Sequence, residues 1–324
     1  MKAIQCVEWG GPERLKLAEV PVPDPAAGEI RIRVRAAGVN YPDALIIQRK
    51  YQLQPALPFV PGTEVAGVVD AVGAGVTGYK GGERVVAFVS LGAFAEYVCA
   101  PAGMAAPLPA GVADPAAAAF TLAYATSQHA LRDRGGLKAG ETLLVLGAGG
   151  GVGLAAVELG KLAGAHVIAA ASTDEKLGVA HERGADALIN YSVLELREAV
   201  RTLTDGKGVD VVYDPVGGAY TEPALRSIAW RGRLLVIGFA FGQIPQIPAN
   251  VLLLRGASAV GAYWGEFAKR EPSANRAMLA ELFGWLAQGR LRPHVSQTFA
   301  LADTGRALEA LLNRRAIGKL VITP

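Results

Sequence analysis

The feature that constrains this chain most is a glycine-rich turn between an apolar strand and a helix. The apolar run 142–146 leads into Gly147-Ala148-Gly149-Gly150-Gly151-Val152-Gly153, and a helical pattern then extends to Leu162. Such a turn lets the backbone approach a pyrophosphate closely, and the helix N-terminus offers free N–H groups and a partial positive charge. The strand–turn–helix context is the one that a dinucleotide-binding motif requires, although Ala148 replaces its first glycine. A tight turn with only a structural role is the alternative.

Strands and helices alternate after this turn. The pattern predicts strands at 167–171, 188–190, 209–213 and 233–237, separated by helices at 175–183, near 193–203 and near 220–229. This alternation predicts an α/β fold with a doubly wound parallel sheet. Strands that are apolar throughout fit a sheet covered on both faces. Helices at 272–288 and about 303–314, and a strand at 318–322, complete the chain.

The first 120 residues indicate strands and turns instead. From Ile30 to Ala36, apolar residues alternate with arginines, which predicts a strand with one buried face. Further strands are predicted at 64–72 and 84–90. The arginine stripe fits a solvated strand face better than a nucleic-acid surface, because no aromatic residues interleave with it.

Composition narrows the class of protein. A chain of 324 residues suggests two domains, and 51% hydrophobic with 19% charged residues excludes disorder. The two cysteines, Cys6 and Cys99, exclude a disulfide framework and a four-thiolate zinc site. The chain start lacks the apolar core of a signal peptide, and the longest apolar run, 143–157, is too short for a membrane span. We therefore expect a soluble cytoplasmic protein.

The residues after the second strand bear on the type of cofactor. An NAD-selective site usually has an acidic residue at this strand tip, where this chain has Ser172. A carboxylate there would repel a 2′-phosphate, whereas a serine can donate to it, and Lys176 can supply a cation. These residues predict NADPH rather than NADH. Asp174, at the start of the following helix, is the observation that speaks against this preference.

The sequence lacks the residues that several other types of reaction need. No tyrosine has a lysine four positions on, as short-chain reductases need, and no G-x-S-x-G elbow supports serine hydrolysis. The four histidines, at 129, 166, 181 and 294, show no metal-ligand spacing. Hydride transfer is then the reaction that remains, and in that reaction the cofactor carries the chemistry while the protein orients it.

Segments along the whole chain resemble a known family. In chain order they are Gly38-Val39-Asn40-Tyr41-Pro42-Asp43, Leu57-Pro58-Phe59-Val60-Pro61-Gly62-Thr63-Glu64, Gly82-Glu83-Arg84-Val85, Gly92-Ala93-Phe94-Ala95-Glu96-Tyr97, the glycine turn, Asp214-Pro215-Val216-Gly217-Gly218 and Gly318-Lys319. As a set they resemble the zinc-free quinone oxidoreductases of the medium-chain dehydrogenase/reductase superfamily, which include zeta-crystallin.

The resemblance implies a fold in two parts. A GroES-like β-rich catalytic domain would contain residues 1–123 and 262–324. A Rossmann domain that binds NADPH, residues 124–261, would be inserted between them, with cofactor and substrate in the cleft. Relatives commonly form homodimers through an edge strand of the Rossmann sheet, here 257–263, and an unpaired apolar edge invites such pairing.

The resemblance also implies that metal is absent. Zinc-dependent relatives have a cysteine where this chain has Asn40 and a histidine where it has Thr63, and they carry a cysteine-rich lobe that this chain lacks. Without a Lewis acid to polarise a carbonyl, the expected acceptors are already electrophilic. The implied activity is therefore zinc-independent, NADPH-dependent reduction of a quinone or of a conjugated carbon–carbon double bond.

Individual contacts are implied by position. Asn40 and Asp43 would shape the polar, catalytic end of the cleft, and Asn40 alternatively acts as a helix cap ahead of Pro42. Leu45 replaces a tyrosine that relatives often have, which removes a substrate-orienting hydroxyl. The cofactor contacts are Asn40, Thr126 and Phe239 at the nicotinamide, Gly149, Gly150, Gly151 and Val152 at the pyrophosphate, and Ser172, Lys176, Tyr191 and Arg315, or its neighbour Arg314, at the adenosine 2′-phosphate.

Two other functions stay open at this point. An acrylyl-CoA or 2-haloacrylate-type enoyl reductase would share the fold and differ only in the size and polarity of its cleft. A structural or RNA-binding protein of the crystallin type would bind NADPH without useful turnover. The net charge of +3 and the lack of an aromatic–basic patch argue against RNA, so a small-molecule quinone or enone is the expected partner.

Overall fold

The chain forms two compact units in a computed structural model that describes all 324 residues. The first unit contains residues 1–122 and 279–324, and the second contains residues 123–278. The second division falls inside a helix, Pro272–Ala287, whereas the sequence places a boundary at 262. As a division into domains, 1–123 with 262–324 against 124–261 stays a prediction.

The first unit is built around a mixed, mainly antiparallel sheet. The strands of this unit are β1 (Lys2–Cys6), β2 (Leu15–Glu19), β3 (Glu29–Val39), β4 (Glu64–Val72), β5 (Arg84–Phe88), β6 (Tyr97–Pro101), β7 (Ala105–Pro107), β14 (Val295–Ala300) and β15 (Lys319–Thr323), and the helices are α1 (Tyr41–Ile47), α2 (Asp114–Ala118) and α11 (Thr304–Leu312). In the sheet the strands follow the order β14-β15-β3-β4-β5-β7, with β6 paired to β3, and β1 and β2 form a separate hairpin pair.

Strand β3 shows why this unit folds as it does. Ile30, Ile32 and Val34 are buried in one apolar core, as their alternation predicts. Arg33 and Arg35 are exposed, and Arg31 donates to Asp70 at 2.7 Å. The arginine stripe is therefore a solvated strand face.

The second unit is a six-stranded parallel sheet with helices along the chain between its strands. This confirms the doubly wound sheet that the alternating pattern predicts. Its strands are β8 (Thr142–Leu146), β9 (His166–Ala171), β10 (Ala187–Asn190), β11 (Val209–Asp214), β12 (Ile228–Val236) and β13 (Ser258–Gly261). Its helices are α3 (Thr121–Gln128, entering from the first unit), α4 (Gly151–Leu162), α5 (Asp174–Glu182), α6 (Leu196–Leu203), α7 (Thr221–Arg226), α8 (Ala249–Arg255), α9 (Trp264–Arg270) and the first part of α10 (Pro272–Ala287).

The strand order of this sheet places a binding crevice. The order is β10-β9-β8-β11-β12-β13, so the chain reverses its direction of progress across the sheet between β8 and β11. In open parallel sheets, ligands bind outside the carboxyl ends of the strands at such a switch point. The glycine turn follows β8 and Asp214 ends β11, so both motifs lie at this position.

Two strand predictions need correction. Strand β12 begins at Ile228 and not at residue 233, because the chain bulges where the register shifts between Val209 and Val211 and Arg231 takes φ +62°. The predicted helix near 220–229 consequently ends at Arg226. The predicted edge strand at 257–263 is limited to Ser258–Gly261. None of the helices has both the length and the apolar character that crossing a membrane demands.

Candidate functional site

The glycine turn after β8 is held by the strand beside it. The Ala148 N–H donates to the carbonyl of Ala170 on β9 at 3.0 Å, and Gly147 has φ +59°, in the left-handed region that favours glycine. Ala148 is completely buried. Its methyl group therefore packs inside the protein, which explains how alanine replaces the first glycine of the motif.

Two glycines of the turn serve different purposes. A Cβ at Gly153 would lie 2.2 Å from the Gly147 carbonyl oxygen and 2.8 Å from the Ala148 Cα, so this position needs glycine for α4 to pack against the turn. A Cβ at Gly150 would meet only the Gly147 oxygen, at 3.5 Å. Nothing in the protein requires glycine at 150, which fits a position where a ligand approaches the backbone.

Lys176 lies against the same turn. A Cβ on Gly149 would be 2.5 Å from the Lys176 Cβ and 2.7 Å from its Cγ, so the lysine stem crosses the glycine. Lys176 belongs to the first turn of α5, where its backbone N–H donates to the Thr173 hydroxyl at 3.3 Å. The structure thus brings a cationic side chain and the N-terminus of α4 together.

The predicted adenosine residues lie beyond β9. The Ser172 carbonyl accepts the Ser192 hydroxyl at 2.9 Å, and the Tyr191 N–H donates to Ala171 at 3.1 Å. The Tyr191 ring packs against Tyr220, with ring centroids 4.4 Å apart. Ser172 and Tyr191 are therefore both fixed at the carboxyl end of β9.

The end of β11 carries a carboxylate whose role is structural. Asp214 accepts the N–H groups of Val216 and Gly217 at 2.9 and 2.8 Å and the Thr221 hydroxyl at 2.6 Å. Burial raises the pKa of Asp214, against these hydrogen bonds. The loop that it shapes supports Phe239, because a Cβ on Gly217 would lie 3.0 Å from the Phe239 ring.

Thr126 lies on α3, half-buried, next to a hydroxyl pair that sequence reasoning missed. Ser127 Oγ lies 3.0 Å from the Val152 carbonyl oxygen and 2.8 Å from the Tyr213 hydroxyl. Burial raises the pKa of Tyr213, so this phenol stays protonated. The pair fixes α3 against the first turn of α4. No motif signals it, because the two residues are far apart in the chain.

The remaining predicted residues belong to the first unit. Arg315 is exposed, in the turn after α11, where its N–H donates to Ala310 at 3.0 Å. Asn40 and Asp43 lie at the start of α1 and are buried. Of the twelve predicted site residues, the nine others lie between residues 123 and 278, in the second unit.

A buried polar cluster surrounds Asn40. We call it the Glu64 cluster, and it consists of Asn40, Asp43, Thr63, Glu64 and Lys319. The Lys319 ammonium donates to Glu64 Oε1 at 2.6 Å and also to the Asn40 side-chain oxygen Oδ1. Asn40 Nδ2 donates to the same Glu64 oxygen at 2.8 Å, and Glu64 Oε2 accepts the Leu122 N–H at 2.9 Å.

This network fixes the orientation of the Asn40 amide. An ammonium only donates and a carboxylate only accepts, so the amide oxygen must face Lys319 and the amide nitrogen Glu64. Gly318 makes the position of Lys319 possible, because it has φ +64° and a Cβ there would lie 2.3 Å from the His294 carbonyl oxygen. Sequence reasoning used the Gly318-Lys319 motif and missed this role.

Asp43 closes the turn at the start of α1. Its Oδ2 accepts the Asn40 backbone N–H at 2.8 Å, while its Oδ1 is buried without a hydrogen-bond partner. Burial raises the pKa of Asp43 to about 7, although the Asn40 N–H, the Lys319 ammonium and the Thr63 hydroxyl all favour its ionised form and Glu64 opposes it. Asn40 occupies the N-cap position, as predicted.

Comparison with known proteins places the chain in a family. The alcohol dehydrogenase GroES-like domain matches residues 26–110, and the zinc-binding dehydrogenase domain matches 151–282. A quinone oxidoreductase-like protein 2 homolog from Nematostella vectensis is 37% identical over 99% of this chain and 88% of its own length, and a quinone oxidoreductase from Pseudomonas aeruginosa is 38% identical over 100% and 99%. Quinone oxidoreductase from Escherichia coli, whose crystal structure is an NADPH complex, has a TM-score of 0.94 at 33% identity, with 100% of each chain covered.

These matches identify an oxidoreductase of the medium-chain dehydrogenase/reductase superfamily. Within that class, the chain belongs to the quinone oxidoreductase family. The GroES-like domain that the sequence predicts, in addition to the Rossmann sheet, is confirmed by the same matches.

The zinc in one family description does not suit the residues of this chain. Asn40 and Thr63 offer only an amide and a hydroxyl, and the Lys319 ammonium already contacts the side-chain oxygen atoms of Asn40 and Glu64. Zinc prefers thiolate and imidazole ligands. No group of three or more His, Cys, Asp or Glu side chains in the structure is arranged to hold a metal.

The pKa of Asp43 predicts a pH dependence of stability. Between about pH 4 and pH 7 the folded protein binds a proton at Asp43 that the unfolded chain has lost, so the free energy of unfolding decreases as pH rises through this window. Asp43→Asn, which carries no titrating group, is expected to flatten this decrease. Denaturant unfolding at a series of pH values measures it.

Glu19→Gln is the matched control, because it removes an exposed carboxylate of the same unit. It is expected to leave the slope with pH unchanged. Equal slopes for unaltered protein and Asp43→Asn would contradict the raised pKa.

Proposed function

We propose that this protein transfers hydride from NADPH to a quinone or to a conjugated carbon–carbon double bond, without zinc. The observation that carries the proposal is the open space at Gly150, at the N-terminus of α4, with the Lys176 stem crossing Gly149 beside it. Backbone N–H groups at a helix start together with a nearby cation form a site for phosphate. The NADPH complex of the Escherichia coli relative supports the choice of cofactor.

We assign the phosphate groups to two sets of residues. The pyrophosphate would bind at Gly149, Gly150, Gly151 and Val152. The 2′-phosphate and adenosine would bind at Ser172, Lys176, Tyr191 and Arg315, as the family resemblance implies. An arginine suits the 2′-phosphate because its donors form a planar fork. Tyr191 is already fixed by Tyr220 and offers a pre-oriented aromatic ring.

Asn40, Thr126 and Phe239 are proposed contacts of the nicotinamide. Asn40 is held by Lys319 and Glu64, so its amide has one fixed orientation. Asp43 is completely buried, so it would act through Asn40 as a positioning residue. Preorganisation of this kind is how positioning lowers a barrier.

The proposed reaction balances as a two-electron reduction. NADPH supplies a hydride from the nicotinamide C4 to an electrophilic carbon and becomes NADP⁺. Water or a hydroxyl group delivers a proton to the acceptor's oxygen or to the adjacent carbon. An acceptor that is already electrophilic needs no metal to polarise it. The donor set around Asn40 and Lys319, which does not suit zinc, supports acceptors of this type.

Oxidation of NADPH in the presence of quinones, conjugated enones and acrylyl thioesters tests this function. We expect turnover with quinones or enones, which is measured as the loss of NADPH absorbance. Gly150→Val is the control, because its side chain would occupy the space of the pyrophosphate while meeting little of the protein. A clear preference for acrylyl thioesters would instead support an enoyl-CoA-type reductase, and no turnover with any acceptor would contradict the proposal.

Lys176→Ala tests the 2′-phosphate assignment. The lysine cation is expected to attract the 2′-phosphate, which NADH lacks. Its removal should therefore raise the KM for NADPH about tenfold or more and that for NADH little, as expected for a charge-assisted contact of about 1.5–3 kcal/mol. Steady-state kinetics with both cofactors measure the effect. Equal changes in the two KM values would remove this role from Lys176.

A homodimer is the assembly that the second unit supports. Strand β13 is an edge of the parallel sheet, and large apolar side chains near it are exposed, including Leu253 (80%), Leu254 (74%) and Trp230 (67%). A Cβ on Gly256 would lie 3.3 Å from the Trp230 ring, so the end of α8 and this indole are neighbours. We propose that a second copy covers this surface and extends the sheet at β13.

Light scattering with size-exclusion chromatography tests the assembly. Unaltered protein is expected to have twice the mass of one chain, and Leu253→Glu with Leu254→Glu is expected to give monomers, because charges would be buried in the interface. Leu17→Glu, at an exposed apolar position of the first unit, is the control and should stay dimeric. A monomeric unaltered protein would refute the proposal.

A further inference from the structure

The acidic residue that speaks against NADPH is held by a neighbour. Asn190 ends β10, and its Nδ2 donates to Asp174 Oδ1 at 2.7 Å. Asp174 is the first residue of α5, two positions after Ser172, where the parallel sheet presents the end of β9. Its carboxylate is therefore directed towards the tip of the adjacent edge strand.

Asn190 is itself fixed. Its side-chain oxygen Oδ1 accepts the Ser192 backbone N–H at 3.1 Å, which sets the amide orientation so that Nδ2 faces Asp174. The Ser192 hydroxyl in turn donates to the Ser172 carbonyl at 2.9 Å, which links this turn to the tip of β9. The three contacts form a brace across the carboxyl ends of β9 and β10.

The negative charge of Asp174 makes this brace relevant to cofactor binding. A free carboxylate near Ser172 would accept the ribose 2′-hydroxyl of NADH and repel the 2′-phosphate of NADPH. A carboxylate already engaged by an amide is fixed in direction and has one acceptor atom less for a ribose. Specificity of this kind depends on controlling the repulsive group as well as on supplying the attractive one.

We infer that Asn190 determines cofactor specificity by holding Asp174 away from the 2′ position, so that Lys176 and Ser172 receive a phosphate there. The inference rests on the proposed function, because it concerns the same cofactor site. Asn190 acts through Asp174 and is a positioning residue for it.

The test compares the binding of four nucleotides by calorimetry. The probes are NADPH, NADH, and their adenosine ends alone, 2′,5′-ADP and 5′-ADP, so turnover plays no part. In Asn190→Ala, Asp174 is released and the ratio of NADPH to NADH affinity should fall about tenfold, as should the corresponding ADP ratio. In the double variant Asn190→Ala/Asp174→Asn, the preference for the 2′-phosphate should return.

Glu175→Gln combined with Asn190→Ala is the matched control. It removes an equal charge from the next position of α5, which no contact ties to Asn190. It should not restore the preference. Thermal unfolding of each variant checks that it is folded.

Different experimental results would overturn the proposed function and this inference. Unaltered protein that binds none of the 2′-phosphorylated probes would overturn the proposed function and this inference together. Binding of NADPH with an unchanged ratio in Asn190→Ala would overturn the inference alone. An equal loss of ratio in the presence and absence of the Asp174 carboxylate would also overturn it, because Asn190 would then not act through Asp174.

Discussion

Helix α4 packs closely against the turn that follows β8 because Gly153 has no side chain. Any Cβ at this position would lie within 2.8 Å of the backbone of Gly147 and Ala148, so a larger residue would push the helix away from the sheet. Close packing here holds the free N–H groups of α4 at the switch point between β8 and β11. Lys176, the β9 tip and the Asp214 loop are all arranged around that point.

In the first unit, a buried ion pair constrains the residues around Asn40. Glu64 and Lys319 form a buried ion pair, and removal of one partner from such a pair typically costs about 3–5 kcal/mol because the other charge is left uncompensated. The pair also engages both ends of the Asn40 amide. A single buried network therefore stabilises the fold, sets the direction of Asn40 and supplies a fixed positive charge beside it.

Local sequence patterns correctly predict those elements that depend on neighbouring residues. The apolar run before the glycines predicts β8 with its observed ends, and the alternation from Ile30 predicts the buried face of β3. Errors arise at β12, where a bulge at Arg231 lengthens the strand, because positive φ at an arginine has no sequence signature.

The fold class, the strand–turn–helix that suits a dinucleotide, and the family can all be read from the chain, because each depends on residues close together in sequence or on motifs in a fixed order. Which polar groups meet could not be read in this way and depends on the packing of the folded chain. Lys319 reaches Asn40 and Glu64 across most of the chain, and Asn190 meets Asp174 because β10 lies beside β9. Hydrogen bonds and charge depend on distance in space, and the pairing of strands sets that distance.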